Sequence, residues 1–168
     1  RANGIERRES NVIGDSVQLV IDGANNFENE RETSFYIYTL HNLYGYLKFG
    51  IAFDPKTRAS VSQGYYADNI LEKVFASRHA AFFFEQAILE ATRDLESYPQ
   101  QLIDIEWDGL TEVRQMNQED AIELFEFFES ELEQVSLWDF AARYVAMTDA
   151  QRKICSDRAK SDEPGEDY

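Results

Sequence analysis

Alternating apolar and polar positions predict a β-hairpin in the first half of the chain. Residues 34–40 and 46–52 are rich in tyrosine, phenylalanine and isoleucine, which favour extended strands. The segment between them contains Asn42 and Gly45, residue types that are common in turns. The two strands are therefore expected to pair in antiparallel fashion. Shorter runs of the same kind predict three further strands, over residues 17–21, 70–75 and 102–105.

Apolar positions that recur every three or four residues predict helices in the second half of the chain. Residues 78–97 carry such a stripe, and residues 118–135 carry one opposite a row of glutamates. Asp54 and Pro55 have the residue types of a helix start, so a short helix is expected after the hairpin, ending at Gly64. The same signals predict two more helices, one over residues 137–147 and one that begins at Thr148 or Asp149.

These elements predict an α+β fold. A small three-stranded antiparallel sheet is expected to be flanked by helices and followed by a C-terminal helical extension. Hydrophobic residues make up 43% of the chain and aromatic residues 14%, which is enough to bury a core. Composition divides the chain into an N-terminal extension (1–33), a central domain (34–117), an acidic helical extension (118–160) and a disordered acidic tail (161–168).

The charge of the chain is strongly acidic and unevenly distributed. The formal net charge is −16, and residues 101–168 alone hold 18 acidic and 6 basic groups, whereas residues 34–100 hold 7 and 6. Nucleic-acid-binding proteins usually carry a basic surface that neutralises phosphates, and this chain has no such surplus. The acidity favours solubility and repels polyanions at long range.

Cysteine content and hydropathy bear on the cellular compartment. The single cysteine, Cys155, excludes an internal disulfide and a cysteine-based zinc site. No apolar run reaches the ~18–20 residues that span a bilayer, and the first residues lack a signal-peptide pattern. A cytoplasmic location without membrane contact is expected, and the oligomeric state stays open.

Polar side chains on the predicted hairpin share a face. Tyr36 and Tyr38 are two residues apart on the first strand, and Tyr46 and Lys48 are two apart on the second, so each pair faces the same way. A tyrosine can orient or deprotonate a water molecule near a cation, and a lysine can contact phosphate.

Two charged residues on the predicted helices complete a candidate site. Arg58 lies about one turn into the helix after the hairpin, and Glu85 lies in an apolar run beside Phe84 and Ile88. A carboxylate on an apolar face is costly unless it is paired or bound to a metal. A carboxylate-held divalent cation and an arginine are the groups that neutralise charge during phosphodiester hydrolysis.

The order and spacing of these residues resemble the GIY-YIG nuclease family. Ser34-Phe35-Tyr36 stands at the first motif, and Lys48-Phe49-Gly50 stands at the second, with eleven residues between them. Arg58 and Glu85 stand where the family has its arginine and its metal-binding glutamate. The Lys-aliphatic-Gly second motif is similar to a branch found in phage and bacterial proteins and in some fungal ones. The resemblance covers roughly residues 34–115 and marks the central domain as nuclease-like.

The resemblance implies a metal-dependent endonuclease that acts on DNA. It implies that Glu85 binds one Mg²⁺ or Mn²⁺ ion, that Arg58 stabilises the phosphoryl charge and that Tyr36 activates water. Tyr38, Tyr46 or Lys48 would assist. The first motif lacks its glycine, and Lys48 stands in place of the tyrosine of the second motif.

The acidic C-terminal segment keeps a second function open. A catalytically inactive nuclease-like protein could use these helices to engage a basic protein partner or to mimic DNA. In a third arrangement, the acidic helices would cover the site and be displaced by substrate. The remaining polar residues are interpreted as structural: His41 and His79 as isolated histidines, Glu112 as part of an exposed turn, and the glutamates of 119–133 as a solvated helix face.

Overall fold

The computed structural model describes residues 16–23, 30–56, 65–105, 107 and 109–162. Within these residues the chain forms one antiparallel sheet of four strands with the spatial order β3-β1-β2-β4. The strands are β1 (Thr33–Leu40), β2 (Tyr46–Ala52), β3 (Tyr66–Phe75) and β4 (Val113–Gln115). The helices are α1 (residues 16–22), α2 (Arg78–Ala91), α3 (Gln100–Asp104), α4 (Gln118–Gln134), α5 (Leu137–Tyr144) and α6 (Asp149–Ala159). Two short 3₁₀ turns span Arg93–Leu95 and Leu110–Glu112.

The hairpin of β1 and β2 sets the register of the candidate site. Tyr36 pairs with Gly50 across the two strands, and Tyr38 pairs with Lys48. The Tyr36 ring lies directly over Gly50, where any Cβ would collide with its hydroxyl and ring carbons. A glycine is therefore required at position 50 by the close approach of this ring.

The two faces of the sheet carry different layers. Phe35 and Phe49 point to the face covered by helices, where Phe84 of α2 and Phe125 of α4 pack against Phe35. The opposite face carries an aromatic layer with half-buried residues at its rim. That layer contains Tyr36, Tyr38, Leu40, Leu43, Tyr66, Leu102, Trp107 and Val113.

The acidic C-terminal helices join the main core through their apolar sides. Phe128 of α4 and Phe140 of α5 are buried, and Phe140 stacks on Phe84 of α2 with ring centroids 6.2 Å apart. The sheet, α2 and these helices therefore share one hydrophobic core. Each buried aromatic residue removes ~150–250 Å² from water, so this shared layer contributes much of the stability.

Arg114 of β4 is the largest fully buried side chain. Its guanidinium donates hydrogen bonds to the Thr92 hydroxyl at 3.0 Å, to the Leu89 carbonyl at 3.2 Å and to the Thr111 carbonyl at 2.8 Å. Leu89 and Thr92 lie at the C-terminal end of α2, where free carbonyls and the helix dipole attract a cation. Arg114 thereby attaches β4 to the helix that carries Glu85.

The α+β class, the hairpin and the third strand are confirmed. The structure also confirms the predicted helices of the C-terminal half, although α2 ends at Ala91 and α5 at Tyr144. Thr148 caps α6 in a capping box with Gln151. Lys56 donates its main-chain N–H to Asp54 where the helix after the hairpin begins, and the predicted end of that helix at Gly64 lies outside the described residues.

Three expectations about strands are wrong. Residues 17–21 belong to a helix in which Val17, Val20 and Ile21 are buried and Leu19 is half exposed, a pattern that a short apolar run shares with a strand. Residues 102–104 are helical because the chain turns directly after Pro99, whose carbonyl accepts the main-chain N–H of Leu102 and Ile103. The sheet has four strands and not the predicted three, because β4 pairs with β2.

Candidate functional site

Five polar side chains from five elements form a buried polar cluster. They are Tyr36 of β1, Lys48 of β2, Tyr66 of β3, Glu85 of α2 and Glu112 of the 3₁₀ turn Leu110–Glu112. Each of the three residues expected from the sequence, Tyr36, Lys48 and Glu85, is at least 97% buried. The fold therefore brings a tyrosine, a lysine and a glutamate together from positions up to 49 residues apart in the chain.

Lys48 is held by an ion pair and a main-chain hydrogen bond. Its ammonium pairs with the Glu112 carboxylate and donates to the Phe49 carbonyl at 2.6 Å. Burial lowers the pKa of Lys48, but the charge of Glu112, its hydrogen bond with Lys48 and the neighbouring Tyr66 and Glu85 together outweigh it, so the pKa lies above its ordinary value. Lys48 therefore holds a buried positive charge on the face of the sheet that carries Tyr36 and Tyr38.

Gly109 permits the close approach of the turn to Lys48. It has a left-handed φ of 99°, and a Cβ at this position would lie 2.8 Å from Lys48 Cε. Glu112 donates its main-chain N–H to the Gly109 carbonyl at 3.0 Å, which closes the turn. The absence of a side chain at Gly109 is thus part of how Glu112 reaches Lys48.

Glu85 is a carboxyl group in an unfavourable place for a charge. Its pKa is raised to about 8, chiefly by burial and then by the nearby Glu112 charge, while Lys48 and a 3.2 Å hydrogen bond from the Gln86 amide partly offset the rise. Without an added cation, the carboxyl group is largely protonated at neutral pH. A divalent cation would favour the ionised form, because a bound metal is often the largest local charge in its site.

Tyr36 is a neutral hydroxyl in this environment. Burial raises the pKa of Tyr36 far above its ordinary value, and the neighbouring Tyr66, Glu112 and Glu85 act in the same direction. The two hydroxyl oxygens of Tyr36 and Tyr66 are 3.2 Å apart and share a hydrogen bond. The surroundings disfavour a phenolate at position 36, whereas a neutral hydroxyl there can still orient a water molecule.

The other expected tyrosines line the same face of the sheet. The Tyr38 ring stacks on Tyr66, with centroids 4.8 Å apart, and meets Tyr36 edge-on. Burial raises the pKa of Tyr38, and so does the charge of Glu72. Tyr46 is half-buried at the rim of the aromatic layer and pairs with Gln115 of β4.

Arg58, the remaining expected site residue, lies outside the described residues. Residues 55 and 56, which follow β2 by way of Phe53 and Asp54, are the described start of the helix on which Arg58 was expected. This helix start therefore follows directly in the chain after β2, the strand that carries Lys48.

The described residues contain no group of three or more histidine, cysteine, aspartate or glutamate side chains suited to hold a metal. Mg²⁺ is commonly bound by one or two carboxylates, while waters and substrate phosphates fill the other positions. Glu85 is the carboxyl group that the resemblance assigns to a metal, and a cation bound there would favour its ionised form.

The acidic C-terminal helices lie away from this face. Residues Phe125, Phe128 and Phe140 of α4 and α5 pack into the core on the helix-covered face of the sheet. Tyr36 and Lys48 point to the opposite face. In the described residues, α4 and α5 therefore leave the face of Tyr36 and Lys48 uncovered.

Two members of the cluster, Tyr66 and Glu112, were missed by the sequence interpretation. Tyr66 begins β3 and reaches Tyr36 through the antiparallel pairing of β1 and β3. Glu112 was assigned to an exposed turn, and its distance of 64 residues from Lys48 hides their pairing. The glycine three residues before Glu112 is the one local sign that the turn approaches something closely.

No protein-family model matches the chain, and no curated protein or solved structure is significantly similar to it. Among the described residues, no helix has the length and apolar character needed to cross a bilayer.

Proposed function

We propose that this protein is a metal-dependent endonuclease of the GIY-YIG type that hydrolyses phosphodiester bonds in DNA. The observation that supports the proposal most is the convergence of Tyr36, Lys48 and Glu85 in the buried polar cluster. All three residues were expected in one site from the family resemblance, and Glu85 also from the cost of a carboxylate on an apolar helix face. Their meeting in one place is what a catalytic arrangement requires, since the reacting groups must be held together by rigid elements.

The roles of the residues follow from their environments. Glu85 would hold one Mg²⁺ or Mn²⁺ ion, which would supply charge stabilisation for the phosphoryl and leaving oxygens. Lys48 adds a fixed positive charge close to the phosphate, and Tyr36 acts as a neutral hydroxyl that orients the attacking water and is itself oriented by Tyr66. Arg58 stabilises the phosphoryl charge, as the family resemblance implies.

Cleavage assays with matched glutamate variants test the proposal. Wild type is incubated with single- and double-stranded DNA at low salt, with Mg²⁺, with Mn²⁺ or with a chelator. Glu85→Gln should lower the cleavage rate by about 100-fold or more, because the metal loses its protein ligand. Glu90→Gln is the control, since Glu90 lies on the same helix but pairs with Arg93 at the surface. Metal-dependent cutting that persists in Glu85→Gln, or no cutting by folded wild type, would contradict the proposal.

A second candidate function is a binding protein that engages a basic protein or mimics DNA. The observation that favours it is α4, which carries seven acidic and no basic residues in 17 positions. Four of its glutamates are exposed: Glu119, Glu123, Glu126 and Glu133. This function predicts that the protein lacks metal-dependent cleavage and displaces labelled duplex DNA from a basic DNA-binding protein. The nuclease proposal predicts cleavage without that displacement.

A further inference from the structure

The ion pair of Lys48 and Glu112 lies at the boundary between the buried polar cluster and solvent. The Lys48 side chain is 1% exposed, whereas the Glu112 side chain is 28% exposed. The carboxylate therefore stands on the solvent side of the ammonium group. Of the two partners, Glu112 is the one with access to solvent.

The backbone around Glu112 consists of a single 3₁₀ turn. Leu110–Glu112 is three residues long, and Leu110, Thr111 and Glu112 are all partly exposed. The turn belongs to neither a regular helix nor a strand, and the contact that Glu112 makes with β2 is its side-chain ion pair with Lys48. A rotation of the Glu112 side chain thus frees Lys48 without disrupting the sheet.

The chemistry of Lys48 requires a negative partner at this position. An ammonium group has three N–H donors, and in Lys48 one is directed to Phe49 O and one to Glu112. Removing Glu112 without replacement would leave a buried cation unpaired, which is strongly unfavourable. A phosphodiester carries a single negative charge on oxygen acceptors, as a carboxylate does, so it can replace Glu112 as the partner of Lys48.

We propose that Glu112 occupies, in the free protein, the position on Lys48 that a backbone phosphate of the nucleic-acid substrate takes on binding. Lys48, beneath the turn Leu110–Glu112, is then a phosphate subsite that opens by exchange of one anion for another. The identity of the ligand rests on the proposed function. The exchange itself requires neither metal nor cleavage.

Binding measurements without metal test this exchange. The affinity of a fluorescently labelled single-stranded oligonucleotide is measured by anisotropy in a chelating buffer at low salt, for wild type, Glu112→Gln, Lys48→Met and the double variant. Glu129→Gln is the matched control, because Glu129 pairs with Lys73 at 2.7 Å on the surface, and its replacement changes the net charge equally. Inorganic phosphate is titrated in parallel as a competitor at constant ionic strength. Circular dichroism and cooperative unfolding establish that each variant is folded.

Glu112→Gln should bind the oligonucleotide about threefold to tenfold more tightly than Glu129→Gln, because the competing charge on Lys48 is gone. The double variant should lose that gain. Equal affinity of Glu112→Gln and Glu129→Gln, or a gain that survives the loss of Lys48, would overturn the proposal. If Glu112→Gln binds inorganic phosphate but does not bind the oligonucleotide more tightly, the ligand of Lys48 is not a phosphodiester.

A second measurement needs only wild-type protein. The ammonium ¹⁵N resonance of Lys48 should shift when the oligonucleotide is added without metal, whereas that of Lys73 should stay in place. An unchanged Lys48 resonance at saturating oligonucleotide would overturn the exchange. Because cleavage is not measured in either experiment, wild type that cuts DNA but shows no exchange would remove this inference alone. Exchange in a protein that does not cut would remove the nuclease proposal alone.

Discussion

Burial sets the protonation state of the residues in the buried polar cluster. It raises the pKa of Glu85 to about 8 and that of Tyr36 far beyond its ordinary value, while the Glu112 charge keeps Lys48 protonated. Free protein at neutral pH therefore holds a charged lysine, a neutral tyrosine and a largely protonated glutamate. A cation bound at Glu85 would have to displace the proton of its carboxyl group, so the proposed function requires this residue to ionise on metal binding.

The first prediction at this scale concerns stability and pH. The folded-state pKa of Glu85 lies above its value in the unfolded chain, so between about pH 4.5 and pH 8 the folded state holds a proton that the unfolded state has lost. The contribution of Glu85 to the free energy of unfolding therefore falls as the pH rises through this window, by up to about 1.4 kcal/mol per pH unit.

Chemical denaturation at pH 5, 6, 7 and 8 in a chelating buffer measures this effect. Glu85→Gln has no charge to bury, so it should gain stability relative to wild type as the pH rises, by more than about 1 kcal/mol at pH 8. Glu90→Gln, a replacement at the surface of the same helix, should follow the wild-type pH dependence. A constant difference between wild type and Glu85→Gln across this range would refute the prediction.

At the scale of elements, β4 and the turn before it position the site. β4 pairs with β2 in a register that sets Val113 against Lys48 and Arg114 against Leu47. Arg114 also binds the end of α2, so one residue connects the strand beside Lys48 to the helix of Glu85. The short strand thus fixes the relative position of Glu112, Lys48 and Glu85.

Replacing Arg114 should destabilise the fold because its main-chain acceptors would lose their donor. Arg114→Met leaves the Leu89 and Thr111 carbonyls without the guanidinium, at an expected cost of about 2–4 kcal/mol in the free energy of unfolding. Arg143→Met is the control, since Arg143 forms a half-exposed pair with Asp139 that is worth about 1 kcal/mol or less. Urea denaturation compares the two variants, and equal losses would mean that Arg114 contributes no more than a surface arginine.

At the scale of the whole molecule, the acidic helices have an apolar inner side and a charged outer side. Leu132 and Phe128 of α4 and Phe140 of α5 belong to the core that covers Phe84 and Phe35. The outer side of α4 presents carboxylates to solvent. α4, which holds seven acidic and no basic residues, is therefore also a helix that the sheet needs for its own burial.

Truncation separates these two properties. A chain that ends at Asn117 loses the aromatic residues that cover Phe84, so it should lack cooperative thermal unfolding and bind a hydrophobic dye. A chain that ends at Asp162 keeps these core residues and should unfold as the full chain does. Near-ultraviolet circular dichroism and differential scanning calorimetry distinguish the two. A cooperative transition in the shorter chain would establish residues up to Asn117 as an independent domain.

Local patterns were sufficient for the elements whose signals are long or chemically specific. The hairpin, α2 and α4 followed from hydrophobic periodicity. The sequence left the start of α6 open between Thr148 and Asp149, and the structure shows Thr148 as the cap, because its hydroxyl accepts the main-chain N–H of Gln151. The pairing of Tyr36, Lys48 and Glu85 in one candidate site followed from motif order. Short segments failed: residues 17–21 and 102–105 hold too few positions to separate a helix from a strand.

By itself, the sequence determined the α+β class, the acidic character and three residues of the cluster, because periodicity, composition and motif spacing are all local properties. Only the tertiary structure decided that Tyr66 meets Tyr36, that Glu112 pairs with Lys48 and that Arg114 joins β4 to α2. Those contacts join residues 22 to 64 positions apart. Their energies depend on burial, which removes the water that would otherwise satisfy each charge, and burial exists only once the sheet and helices have packed.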